Sequence, residues 1–381
     1  MAITFSITGG ADAAKFTINA TSGVLAFITA PNFELPTDAN GDNVYEVTVR
    51  ATDSQGLFDA KTVLVTVTDV AEGGALPPLT NSGSITVTSN NQVIENRNIT
   101  GRVTIGAFSG VTVRNCIIRH AADVGLLATN SVNLTLQDLE FINTSSPSGQ
   151  TPTSGEVKNM ELSRTSGTTL LERIKVTGGC GLYGYIIGGT LIVRFLEGHN
   201  VRGMATSPYR GNLFQLNQCT ATTTVEDFSV ENDINNSWPE DSCSVHYCTG
   251  AMTFRRGYLK GQSSPTGVAF MVEHTNGVIV EDVDCENHFN GAFSVYDTSA
   301  NVTYRRCRAK NQLLTNQGRG NPTSNYCNFV SAPGVTGTRF EQVKYWNISS
   351  NLAWQTPFTV MDWAPLNFTP RAPIRNRTPG T

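Results

Sequence analysis

Val111-Thr-Val-Arg-Asn-Cys116 and Val278-Ile-Val-Glu-Asp-Val283 are two copies of one phrase, and the spacing of its copies decides the fold. Others are Leu134-Thr-Leu-Gln-Asp-Leu139, Thr224-Val-Glu-Asp-Phe228 and Val302-Thr-Tyr-Arg-Arg-Cys307. The last residues of nine copies are Cys116, Leu139, Ile174, Leu196, Phe228, Gly257, Val283, Cys307 and Val343, separated by 22 to 36 residues. A base period of roughly 22–24 residues, lengthened by insertions, describes a solenoid in which each repeat is one coil. Apolar and polar positions alternate within the phrase and β-branched residues fill it, so it is a strand.

Placing the copies in register produces columns. One reads Arg114, Gln137, Glu172, Arg194, Glu226, Arg255, Glu281, Arg305, Glu341, with the sign alternating from Glu172 onward. The next reads Asn115, Asp138, Arg173, Phe195, Asp227, Arg256, Asp282, Arg306, Gln342. Coils stack about 4.8 Å apart, so opposite charges in neighbouring coils pair. These residues are therefore expected to form an outer ladder and are set aside as catalytic candidates.

The strand before each phrase supplies a second set. Phe214, Cys243, Phe270 and Phe293 form one row and Leu216, Val245, Val272 and Val295 another, both expected to point inward. Alternation then puts Asn217, His246, Glu273 and Tyr296 in an outward row, with Gln215, Ser244, Met271 and Ser294 in a second outward row beside it. Gln218, Tyr247, His274 and Asp297 follow at the turn. His246 with Tyr296 suits proton transfer in an elimination, and Glu273 with Asp297 suits a pair of carboxyl groups for hydrolysis. His246, Glu273, Tyr296 and Asp297 are thus the catalytic candidates. Insertions at 197–215, 231–243 and 310–328 flank this face, and Tyr209, Arg210, Trp238, Arg319 and Asn217 are the candidate glycan contacts. Glu240 and Asp241 lie in the same insertions. His120, His199 and His288 stand apart and are expected at the surface or in turns.

Over residues 84–350 this pattern resembles the right-handed parallel β-helix of pectate-lyase-like proteins and phage tail spikes. The resemblance implies an all-β chain of about nine or more coils, and no active-site signature of that family aligns with it. Residues 1–72 differ: alternating strands such as Tyr45-Glu-Val-Thr-Val-Arg-Ala51 are separated by Asp, Asn and Gly turns. Their phrases Thr21-Ser-Gly-Val-Leu25, Pro31-Asn-Phe-Glu34, Asp38-Ala-Asn-Gly-Asp-Asn43, Ala51-Thr-Asp53 and Asp69-Val-Ala-Glu72 resemble a partial bacterial cadherin-like β-sandwich. That resemblance implies calcium held by Glu34, Asp38, Asn40, Asp42, Asp53 and Asp69, hard oxygen donors around a Gly. The opening strand of the repeat is missing, and Ala71 stands where the family has Asn. Asx turns are the metal-free reading of the same residues. A linker over 73–83 and an irregular Pro-rich cap or arm over 351–381 complete the expected organisation.

With 35 Gly, 15% charged residues and a net charge of −4, the composition fits a β-rich, turn-rich virion or extracellular protein and gives no footprint for nucleic acid. No apolar run reaches about 18 residues, so no membrane insertion is expected. Met1-Ala-Ile-Thr-Phe-Ser6 lacks the basic and apolar regions of a secretory leader. The eight Cys contain no C-x-x-C pair and are expected as small buried apolar groups. The leading expectation is a bacteriophage tail spike, fibre or decoration protein that adheres to host surface glycans. It would be homo-oligomeric and contact other subunits through its N-terminal domain. The alternatives are a polysaccharide lyase or glycoside hydrolase exported without a Sec leader, and a bacterial cell-surface adhesin.

Overall fold

The computed structural model describes residues 3–31, 33, 36–67, 77–121, 124–144, 157–203, 211–233, 237, 239–262, 264–311 and 327–347. Their secondary structure is β apart from one short 3-10 turn, and the chain divides into two units, Met1–Gly74 and Ala75–Thr381.

In the first unit Val44–Asp53 is the centre of an antiparallel sheet, with Ile3–Gly9 on one side and Phe58–Thr66 on the other. Phe16–Ile18 and Leu25–Phe27 make a second, two-stranded sheet. Alternation along the central strand sends Tyr45 and Val47 into a small core with Phe16. The Tyr45 ring meets Phe27 edge-on at 4.9 Å, and its hydroxyl accepts the Thr37 N–H at 3.1 Å. Buried Asp12 accepts the N–H groups of Ala39 (2.7 Å) and Glu46 (2.8 Å), which ties the 38–42 turn to the sheet.

The second unit is a right-handed parallel β-helix. Long strands, among them Thr112–His120, Val132–Asn143, Ser166–Thr177, Thr190–His199, Thr222–Glu231, Met252–Gln262 and Val278–His288, stack in one parallel sheet. Shorter ones, including Lys158–Ser163, Cys180–Tyr185, Phe214–Asn217, Cys243–His246, Phe270–Glu273 and Gly291–Tyr296, stack in the other. The first coil begins within 73–83, since Thr80–Ser82 already pairs with Arg97, Asn98 and Ile99.

Pairing in the long sheet skips one residue per coil. Arg114 pairs with Gln137 and Cys116 with Leu139, leaving Asn115 opposite Asp138 outside the ladder. The skipped column, from Asn115 through Arg173, Phe195 and Asp227 to Gln342, has φ between 46° and 57°. This left-handed corner bends every long strand, so one sheet wraps two faces of the coil. Asn and Asp tolerate that conformation; Arg, at about 1–2 kcal/mol, does so less readily. Fork-shaped bonds to the adjacent coil offset that cost. Arg173 reaches Asp138 at 2.7 and 3.2 Å, Arg256 reaches Asp227 at 2.8 Å twice, and Arg306 reaches Asp282 at 2.7 and 2.6 Å. The neighbouring column pairs as its alternating signs require, for example Arg194 with Glu226 (2.8 Å) and Arg305 with Glu341 (2.8 Å).

Inside, the two expected rows are buried. Phe214, Cys243, Phe270 and Phe293 run down the core and Phe329 continues them; Leu216, Val245, Val272 and Val295 lie beside them. The seven cysteines with described side chains are free and buried. Two histidines depart from expectation. His120 is buried against Asn159 (2.9 Å), and His288 is buried in register with Gln262. Both sit where long strands end, just before the turn into the next short strand. Beside His120, Asn159 donates to the Gly178 and Cys180 carbonyls, whereas His288 Nε2 has no partner. His199 is half-buried and bonded to Glu197. Residues 351–381 and the Trp346 side chain lie outside the described residues.

Candidate functional site

Register in the short-stranded sheet brings the outward row together. Tyr185 pairs with Asn217, Asn217 with His246, His246 with Glu273, and Glu273 with Tyr296. Five successive coils thus present a phenol, an amide, an imidazole, a carboxylate and a phenol on one line. At about 4.8 Å per coil the row is about 19 Å long.

His246 and Glu273 are bonded, with Nδ1 2.9 Å from Oε2, and their side chains retain 15% and 29% exposure. That bond holds the Glu273 carboxyl below the usual range, against the opposing effect of burial. Glu273 also fixes the imidazole orientation, and His246 Nε2 has no hydrogen-bond partner. Gln215 Oε1 and Asn217 Oδ1, one coil away, are likewise buried and unpartnered. An imidazole oriented by a carboxylate, with its other nitrogen uncommitted, can accept or donate one proton at Nε2.

Asp297 stands elsewhere. It follows Tyr296 at the corner, where Gln218, Tyr247, His274 and Asp297 all have φ between 47° and 56°. Its Oδ2 lies 3.2 Å from His274 Nε2, while His274 Nδ1 is 3.1 Å from Thr298 Oγ1. Glu273 and Asp297 therefore each serve a different histidine.

The second expected outward row is open only in part, at half-buried Gln215. Ser244 and Ser294 are 0% exposed and Met271 6%. Asn212, in the segment entering the sheet, donates to Ser244 Oγ at 2.9 Å. The last residue of each strand is instead half-buried, and the corner residues Gln218, Tyr247 and Asp297 are exposed. Alternation alone could not show this, because it separates the faces of a strand without saying what lies over them. Asp241 is buried too; desolvation, with Glu240 adding to it, pushes its carboxyl well above the usual range, and Oδ1 accepts the Val268 N–H at 2.8 Å. Tyr209, Arg210, Trp238 and Arg319 lie outside the described residues.

Two aromatic groups were missed in the sequence, and a third, Tyr247, was placed at the turn but given no role. Tyr185 begins the row, and the Tyr183 ring lies near-parallel to it at 6.3 Å. Tyr247, at the corner, stacks on His274 with centroids 4.3 Å apart and planes 13° apart. Extending the register one coil back would have found the first two.

In the first unit, Asp42 N–H donates to Asp38 Oδ2 (2.8 Å), Asn40 Nδ2 to Asp42 Oδ2 (2.9 Å), and Val44 N–H to Asp42 Oδ1 (2.8 Å). Asp53 Oδ1 accepts the N–H groups of Gln55 (2.8 Å) and Leu57 (2.9 Å). These are turn-capping roles. Among the described residues no three His, Cys, Asp or Glu side chains gather as for a metal ion. Asp38 Oδ1 is nonetheless buried without a partner. Glu34 and Asp69 lie outside the described residues.

No family model matches the chain, and no curated protein matches it. Solved structures similar to it include the catalytic domain of a GH87 alpha-1,3-glucanase in complex with nigerose, 12% identical, TM-score 0.38, covering 75% of this chain and 56% of that one. An alginate lyase from Paenibacillus sp. str. FPU-7 is 10% identical, with TM-score 0.42 and 71% and 97% coverage. The enzymatically active domain of Bacteriophage CBA120 tailspike protein 2 is 10% identical, with TM-score 0.24 and 82% and 49% coverage. The chain spans about half the length of the first of these. The likeness is one of fold.

Proposed function

We propose that this chain is a glycan-binding parallel β-helix of a virion surface, and that the row from Tyr185 to Tyr296 is its binding groove. One observation carries the reading. Polar and aromatic side chains from five coils line up in one half-buried row of the short-stranded sheet, whereas the charged columns elsewhere pair with one another. Hydroxyls of a glycan would meet the amide and imidazole atoms of Asn217 and His246 and the Glu273 carboxylate. Attachment to other subunits through the N-terminal unit is supported by its exposed apolar side chains Ile3, Leu57, Phe58 and Leu64. The homo-oligomer and the virion location belong to the same proposal. So does calcium at the cadherin-like 38–42 turn, for which the unpartnered Asp38 Oδ1 is the supporting observation and the capping roles of Asp42 and Asp53 the opposing one.

A second reading is a uronate lyase, favoured by the uncommitted His246 Nε2. In that reaction His246 takes the C5 proton, the C4–O bond breaks to leave a C4–C5 double bond, and Tyr296 protonates the departing oxygen. Hydrolysis suits the site less. Glu273 is an ionised partner of His246, Asp297 serves His274, and Asp241, whose carboxyl burial pushes above the usual range, is shut away from the row. One experiment separates these: incubate the chain with neutral and uronate polysaccharides, measuring both binding and new ultraviolet absorbance from unsaturated ends. Binding that is lost in His246→Ala, without absorbance, is the expected result. Absorbance that the variant abolishes establishes the lyase, and binding untouched by the variant overturns the groove.

A further inference from the structure

Tyr247 occupies a corner whose left-handed backbone the solenoid repeats from coil to coil, but nothing in the solenoid requires a large aromatic ring there. Its side chain is 53% exposed, the one aromatic left so open among the described residues of the second unit. Its backbone has φ 53°, in the left-handed region that bulky side chains avoid. Equivalent corners one coil to either side are taken by Gln218 and His274.

The ring is nevertheless held in place. It stacks on His274 at 4.3 Å and 13°, and His274 is braced at both nitrogens, by Asp297 Oδ2 at 3.2 Å and Thr298 Oγ1 at 3.1 Å. Two successive coils thus orient an aromatic ring whose surface remains half open to solvent. A bulky ring at an exposed corner, held by a braced neighbour instead of being buried, suits a ligand contact rather than packing.

We infer that Tyr247 is a stacking platform for the apolar face of a pyranose ring, at the edge of the groove beside His246. The inference rests on the reading of that row as a glycan groove. Sugar C–H groups carry partial positive charge and suit the negative face of the ring, and a ring already fixed loses little freedom on binding. Gln218, at the same corner one coil back, supplies hydrogen-bonding groups near the platform.

The test compares wild type, Tyr247→Ala, Tyr247→Phe and His246→Ala by calorimetric titration with a neutral glucan oligosaccharide and a uronate oligosaccharide of equal length. Circular dichroism checks that each variant is folded. Expected is about tenfold weaker binding for Tyr247→Ala and near wild-type binding for Tyr247→Phe, because the ring and not the hydroxyl makes the contact. Wild-type affinity in Tyr247→Ala, with binding lost in His246→Ala, overturns the platform and leaves the groove standing. Wild-type affinity in both Ala variants overturns both, as does a wild type that binds neither oligosaccharide. Unchanged glycan affinity in Tyr247→Ala, with self-association lost in sedimentation, assigns the ring to a protein contact and overturns the inference.

Discussion

His246 and His288 carry the same ring in different surroundings. His246 is tied to a carboxylate, and its side chain keeps 15% exposure although its other nitrogen is buried without a partner. His288 is 1% exposed, its Nε2 has no partner, and burial pushes its pKa down to about 3. An unfolded histidine titrates near 6.5. Above that pH both states are neutral and His288 imposes no penalty. Below it the unfolded chain binds a proton that the folded chain refuses, so stability falls by about 1.4 kcal/mol per pH unit until the pH nears 3. His288→Gln should therefore flatten the decline in stability between about pH 6 and 4, measured by urea unfolding at several pH values. An unchanged slope would show that His288 does not set it. Outward and inward histidines were not separable in the sequence, because His120 and His288 lie at strand ends, where alternation no longer says which side is covered.

The recurring element is a strand with a left-handed corner, and the residues at that corner differ in how well they tolerate it. Ile186, half-buried at φ 56°, is β-branched and among the least suited. Ile186→Asn should stabilise the solenoid by about 1 kcal/mol, read as a higher unfolding midpoint with an unchanged denaturant slope. A lower midpoint would mean that lost packing outweighs relieved strain. Arg256 is the converse case, since its corner carries a fork to Asp227 and a bond to Glu226 at 2.9 Å. The pairing of these columns was legible in their alternating signs. The corner was not: Asn, Asp, Arg, Phe and Gln share no propensity for positive φ, and only the skipped register exposes it.

At the scale of the whole molecule, two units with separate cores should unfold separately. Phe254 is fully buried between Phe214 at 5.5 Å and Phe270 at 5.1 Å. Calorimetry should show two transitions. Phe254→Ala should cost the solenoid about 3–5 kcal/mol and lower its transition alone. Chelation should lower only the N-terminal transition if calcium occupies the Asp38 turn, and no shift would remove the metal from the proposal. The sequence by itself determined the solenoid, its inward rows and the alignment of Asn217, His246, Glu273 and Tyr296. A period near one coil and a two-residue alternation are properties of the chain that stacking simply repeats. Tertiary structure decided which part of that face stays open, which carboxylate serves which histidine, and that Tyr247 is braced at the rim. Those depend on side chains from coils distant in sequence, and on connections of irregular length whose path no periodicity describes.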